Sequence, residues 1–174
     1  MNIEEQVAGL LAREEIRDLV TARFSTTVDW LDLDGMRACF VKNSKVFFGD
    51  NCMSGDEFCD FWAEFGANAE MRFHYLDCAR IVLSGDAAKA EARAITAGTI
   101  PDEDADEGNM KDFLNGMRYL FDLVKQQDGW RIQTINITSD WSFAQPHPAS
   151  TALGGEFDRG LDTSHRLYAH MYGS

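Results

Sequence analysis

Residues 71–100, MRFHYLDCARIVLSGDAAKAEARAITAGTI, decide the fold. Two long runs with the texture of strands flank Ser84-Gly85-Asp86, a cluster of turn formers. The pattern predicts a strand from Met71 to Leu83 and an antiparallel return from Ala87 to Ile100. Downstream, Met110 to Lys125 and Trp130 to Phe143 read as a second hairpin, joined at Gln127-Asp128-Gly129. The acidic segment Pro101 to Asn109 lies between the hairpins and reads as a solvated loop. It fails the calcium-loop pattern, since Glu107 and Phe113 stand where Gly and Glu are required.

Upstream the periodicity is helical. Val7, Leu10, Leu11, Leu19, Val20, Phe24, Val28 and Leu31 recur mostly three or four apart, predicting a helix over residues 3–31. Asn2 and Glu5 form its capping box. A short helix is expected from Leu33 to Phe40 and a short strand from Lys45 to Phe48. Ser54 and Glu57 form a second capping box, starting a helix that Gly66 can end. Helices followed by long antiparallel strands imply an α+β fold. The strongly twisted sheet curls, and the first helix lies across its concave face, leaving a cone with a pocket. One domain is expected over residues 1–145. Residues 146–174 form a tail, partly helical from Glu156 to Tyr172, that packs on the domain or on a neighbouring subunit.

The 174 residues are 45% hydrophobic and 11% aromatic, enough for a real core. The formal net charge of -13 disfavours nucleic acid and anionic membranes as partners. No stretch is long and apolar enough to span a bilayer, and the N-terminal residues lack signal-peptide character, so a cytoplasmic location is expected. Cys39, Cys52, Cys59 and Cys78 form no C-x-x-C pair, and no metal is expected. His147, His165 and His170 have no evident partners and read as surface residues.

Two polar residues stand in apolar settings: Asp29, in Thr26-Thr27-Val28-Asp29-Trp30, and His74, in Arg72-Phe73-His74-Tyr75-Leu76. Each is costly to bury alone. Together they make an acid/base pair, the carboxylate holding the ring and stabilising its protonated form. Ala22 and Thr26 share a stripe with Asp29 and leave room for a cavity. Arg118 is a candidate for steadying an oxyanion or a leaving halide; the alternative is an exposed strand residue. Asn136 shares a strand face with Trp130, Ile132 and Thr134, so it is a candidate substrate contact, with an outward position as the alternative. Phe24, Trp30 and Phe48 read as apolar walls, of the substrate pocket or simply of the core.

The helix ending VDWLDLDGMRACF, the segment RFHYL and the DGWRI of the last hairpin resemble the NTF2-like superfamily in its SnoaL-like branch. That branch includes scytalone dehydratase, hexachlorocyclohexane dehydrochlorinase and polyketide cyclases. The resemblance runs from about residue 5 to residue 143. It implies a cofactor-independent lyase or isomerase acting on a small hydrophobic cyclic molecule. His74 would be the general base, Asp29 its orienting partner, and the assembly a homodimer or homotrimer. Scytalone dehydratase carries tyrosines where this chain has Val28 and Phe48, so dehydration of scytalone itself is not implied. The resemblance leaves open a non-catalytic binding protein, or a partner like the β subunit of ring-hydroxylating dioxygenases.

Overall fold

The computed structural model describes residues 2–103, 109–147 and 162–172. Its first helix starts where the sequence specifies. Asn2 accepts the Glu5 backbone N–H, and the Glu5 carboxylate accepts the Asn2 N–H. Helix α1 (Ile3–Arg17) runs through a π-helical stretch (Asp18–Arg23) into α2 (Phe24–Asp29). The helix expected over 3–31 is therefore one rod with a widened turn, in which the Phe24 N–H reaches the Leu19 carbonyl. From that turn onward Leu19, Val20, Phe24 and Val28 all enter the core. Before it, Val7, Leu10 and Leu11 are exposed, against the expected stripe. Within α1 only Ile16 is buried.

Helix α3 (Leu33–Ala38) is capped by Asp32, whose carboxylate accepts the Gly35 N–H. Strand β1 (Phe40–Phe48) is longer than expected, and a short β2 (Asn51–Met53) turns back on it. Helix α4 (Gly55–Ala67) opens on the Ser54–Glu57 box. Gly66 does not end it; Asn68 occupies the C-cap. Gly66 is needed for space, since a Cβ there would lie 2.5 Å from Leu31 Cδ2.

Strands β3 (Met71–Ser84), β4 (Ala87–Pro101), β5 (Met110–Gln126) and β6 (Gly129–Pro146) complete a six-stranded sheet ordered β2-β1-β6-β5-β4-β3. Only the β1–β6 pair is parallel. The curved, unclosed sheet packs its inner face on the helices, giving the α+β cone the sequence implied. Trp130, Phe121, Ile132 and Ile135 of the sheet close on Ile16, Leu19 and Val20. A last helix, α5 (Arg166–Tyr172), lies in the tail. Residues 104–108 of the acidic loop and 148–161 of the tail fall outside the described residues. Among the described residues, no helix is long and apolar enough to cross a membrane.

Strand β6 carries two inserted residues. Leu123 pairs with Ile132 and Asp122 with Thr134, so Gln133 is extra; Met117 pairs with Ser139 and Gly116 with Trp141, so Asp140 is extra. Each bulge exchanges the faces of the strand beyond it. Trp130 and Ile132 point inward before Gln133, and Ile135 and Ile137 after it.

The thiols report on this core. Cys39, Cys59 and Cys78 are buried and Cys52 is exposed. Burial pushes the Cys39 thiol up to about 11 and the Cys59 thiol up to about 12, and raises Cys78 as well. At mildly alkaline pH an aromatic disulfide reagent is expected to titrate one thiol rapidly in the native protein and all four after denaturation. Rapid reaction of two or more native thiols would contradict this packing.

Candidate active site

Asp29 is the last residue of α2, and the helix stops there for a local reason. Leu31 adopts a left-handed conformation, φ 52°. The Asp32 N–H then reaches back to the Thr27 carbonyl at 2.9 Å and the Leu31 N–H to Val28. This is a Schellman turn, with a leucine where glycine is usual. Its side chain lies against Gly66, which has no Cβ to obstruct it.

Arg72 ties this helix end to the sheet. Its Nε donates to the Asp29 carbonyl at 3.1 Å, and its Nη1 donates to the carbonyls of Gly66 and Ala69 at the end of α4. The residue is 8% exposed. Burial pulls its pKa down, and the Asp29 carboxylate opposes that shift. One guanidinium thus satisfies carbonyls at the ends of two helices and holds them against β3.

Two residues along, His74 meets Asp29 twice. Asp29 Oδ2 accepts the His74 backbone N–H at 3.0 Å, and Oδ1 lies 2.6 Å from Nδ1. A carboxylate only accepts, so Nδ1 carries the proton and Nε2 of the neutral ring keeps its lone pair. The side chains are 10% exposed for His74 and 21% for Asp29. Trp62 packs edge-on against the imidazole, centroids 5.6 Å apart.

His74 borders a cavity of about 310 Å³ between the helices and the inner sheet face. The wall is mostly aromatic and aliphatic, with Phe24, Phe48, Phe58 and Phe65 among its residues. Four of its polar residues form one row. His74 pairs across strands with Thr96, Thr96 with Asn115, and Asn115 with Ser142. Asn115 Nδ2 donates to Thr96 Oγ1 at 3.3 Å, and Ser142 Oγ donates to Asn115 Oδ1 at 2.6 Å. Tyr119, further along β5, also lines the cavity. A base at one end of a polar row, in an apolar chamber sized for a small ring, is equipped to take a proton from a bound molecule and hold its oxygen atoms.

The structure therefore brings Asp29, His74, Phe24 and Phe48 to one site. It places three other candidates elsewhere. Arg118 lies on the outer sheet face, in ion pairs with Glu91 at 3.6 Å and Asp140 at 3.1 Å. Its neighbours Met117 and Tyr119 take the inward positions of β5. Asn136 is also on the outer side, opposite Leu120, because the Gln133 bulge reverses the face it shared with Trp130 and Ile132. Trp30 does not line the cavity but packs on His165 and Tyr168 of the tail, each 5.6 Å away between centroids. Beside it the Tyr168 hydroxyl donates to Asp32 at 2.6 Å. Burial and that bond push the Tyr168 phenol up to about 12. His165 is thus a packing residue. His147, expected as a lone surface residue, pairs with Asp112 at 2.8 Å.

Residues 8–136 match the model of the SnoaL-like domain. The chain belongs to the SnoaL-like family. No curated protein matches it by sequence similarity. Its fold is similar to that of hexachlorocyclohexane dehydrochlorinase LinA type 3 from Novosphingobium barchaimii. That pair has a TM-score of 0.68 and 17% identity over 83% of this chain and 96% of the other. A candidate scytalone dehydratase from Novosphingobium aromaticivorans aligns with a TM-score of 0.64 and 12% identity, over 94% and 99%. A protein of Kribbella flavida aligns with a TM-score of 0.68 and 19% identity, over 78% and 95%. At these identities the likeness is one of fold.

Thr96, Asn115, Tyr119 and Ser142 were not singled out from the sequence. For β5 the signal was available: Phe113, Asn115, Met117, Tyr119, Phe121 and Leu123 alternate with outward residues. For Ser142 it was not, since its facing depends on the Asp140 bulge. Among the described residues no group of three His, Cys, Asp or Glu side chains is placed to hold a metal.

Arg72→Met, which keeps the aliphatic stem, is expected to lower unfolding stability by about 2–4 kcal/mol, because buried carbonyls lose a charged donor. Urea denaturation measures this. A loss below about 0.5 kcal/mol, within the range of ordinary surface changes, would show that the helix ends do not depend on the guanidinium.

Proposed function

We propose that this protein is a lyase or isomerase that removes a carbon-bound proton from a small, mostly apolar cyclic substrate without a cofactor. The observation that carries this reading is the His74 imidazole, with Nδ1 held by Asp29 and Nε2 left as a lone pair beside an apolar cavity. Nε2 takes the proton, and the C–H electron pair moves toward the neighbouring carbon. In elimination that pair becomes a C=C bond, and a halide or hydroxide leaves with its own bonding electrons. In isomerisation the imidazolium returns the proton to a different carbon. Asp29 fixes the tautomer and offsets the positive charge on the ring during either course. The solved dehydrochlorinase and the candidate dehydratase support this reading through their shared fold. The apolar wall favours a ring-sized hydrophobic substrate, and the polar row gives it an orientation.

The test is turnover of a panel of cyclic hydroxyketones, dienones and halides. His74→Gln and Asp29→Asn are each expected to lower kcat/KM by about 10²–10⁴-fold. Equal turnover by wild type and His74→Gln would remove His74 as the base. Tight binding of panel members with no turnover would move the protein to the binding class.

We also propose self-association through the outer sheet face. Cross-strand pairing sets Phe73, Leu114 and Phe143 along one row and Tyr75, Ile95 and Trp141 along the next. All six are 40–60% exposed, an apolar surface of the kind that marks an interface. In light scattering the wild type is expected as a dimer or trimer and the Tyr75→Lys/Trp141→Lys variant as a monomer. A monomeric wild type would favour a different partner for this face, such as the larger subunit of a two-component enzyme.

A further inference from the structure

The cavity holds several hydroxyl and amide groups, but most of their protons are already engaged. The Ser25 hydroxyl donates to the Thr21 carbonyl at 2.6 Å. Thr96 Oγ1 donates to Met117 Sδ, and Ser142 Oγ to Asn115. The Trp62 indole N–H is occluded in the wall, out of a ligand's reach. Tyr119 differs from all of these. It lines the cavity, is 4% exposed, and its hydroxyl makes no hydrogen bond to another described residue. The ring is held by Phe121, stacked at 16° with centroids 6.2 Å apart, between cross-strand neighbours Ala92 and Ile137. A buried hydroxyl without a partner is costly unless something in the cavity takes its proton.

Its position also fits the chemistry of the dyad. Burial, with a further contribution from the Asp29 carboxylate, raises the Tyr119 pKa, so the phenol stays neutral and remains a donor. The base and a free phenolic O–H therefore face one small chamber. Proton removal beside a carbonyl puts negative charge on the oxygen, which is where a fixed donor is most effective.

We infer that Tyr119 is the hydrogen-bond donor to a carbonyl oxygen of the substrate, and that the substrates of this site are cyclic ketones or enones. This deepens the lyase or isomerase reading, on which the catalytic part rests; the binding part stands without turnover.

The probes are 1-tetralone, a bicyclic ketone whose oxygen only accepts, and tetralin, its hydrocarbon counterpart. Calorimetry or competition fluorescence would measure both with wild type, Tyr119→Phe, Asn115→Leu and His74→Gln. Asn115 is included because its second amide N–H is the competing donor. Tyr119→Phe preserves shape and is expected to keep the wild-type melting temperature. It should weaken tetralone about 10-fold and leave tetralin unchanged. His74→Gln should bind tetralone as wild type does while losing turnover, so loss of the base and loss of the donor are read separately. The inference is overturned if wild type shows no preference for tetralone over tetralin. Equal effects of Tyr119→Phe on both probes, or an oxygen-dependent loss that falls on Asn115→Leu alone, would overturn it too.

Discussion

Two oxygens of one carboxylate join the helical and sheet halves of this protein. Asp29 Oδ1 accepts the hydrogen bond of the His74 ring N–H and Oδ2 accepts that of the His74 main-chain N–H. A side chain held by one bond can swing, whereas one held at both oxygens has its plane fixed against the strand. The same contact places the end of α2 at the edge strand β3, so the long first rod and the outermost strand keep a constant separation. The remaining space becomes the cavity, bounded by the rod, α4 and the inner sheet face. Arg72 strengthens the junction from below, since it bonds to the main-chain carbonyl of the residue whose carboxylate bonds to His74. Geometry needed for chemistry and geometry needed for folding are thus set by one small group of residues.

The distribution of polarity across the cavity follows from cross-strand pairing. Residues directly opposite one another on an antiparallel sheet share a face, so a polar residue on each of four strands forms a continuous row if the registers agree. Here they do, from His74 to Ser142. Two donors bond within that row, Asn115 to Thr96 and Ser142 to Asn115, while His74 turns to Asp29 and Thr96 to Met117, which keeps the burial of polar atoms tolerable. The wall on the helical side has little polar character, and a bound molecule would be oriented by the contrast between the two sides.

Much of this was legible from local chemistry. Both capping boxes, the Ser84–Asp86 turn and the unusual pairing of Asp29 with His74 depend on few residues, and their signals survive without knowledge of the fold. Asn136 and Arg118 were harder for distinct reasons. A bulge is a property of two strands together, and Gln133 has no residue type that announces one. Arg118 was read for its charge, although Met117, Tyr119 and Phe121 on alternate positions place it outward. Trp30 illustrates another limit: one step beyond Asp29 on a helix is a turn of about 100°, and the tail that covers it lies more than a hundred residues away. The π-helical stretch likewise has no composition that marks it.

The extra residue at Asp140 has an implication for how this scaffold can change. Beyond it, Ser142 faces the chamber while Trp141 and Phe143 lie outside, Trp141 covering Gly116 so closely that a Cβ there would sit 2.1 Å from its indole nitrogen. Removing that residue would leave Trp141 opposite Gly116 and Ser142 opposite Asn115, so the strand end would straighten without turning over. The bulge is slack in the strand. At this edge of the vessel a lineage can lose one codon and still keep its hydroxyl inside and its indole outside.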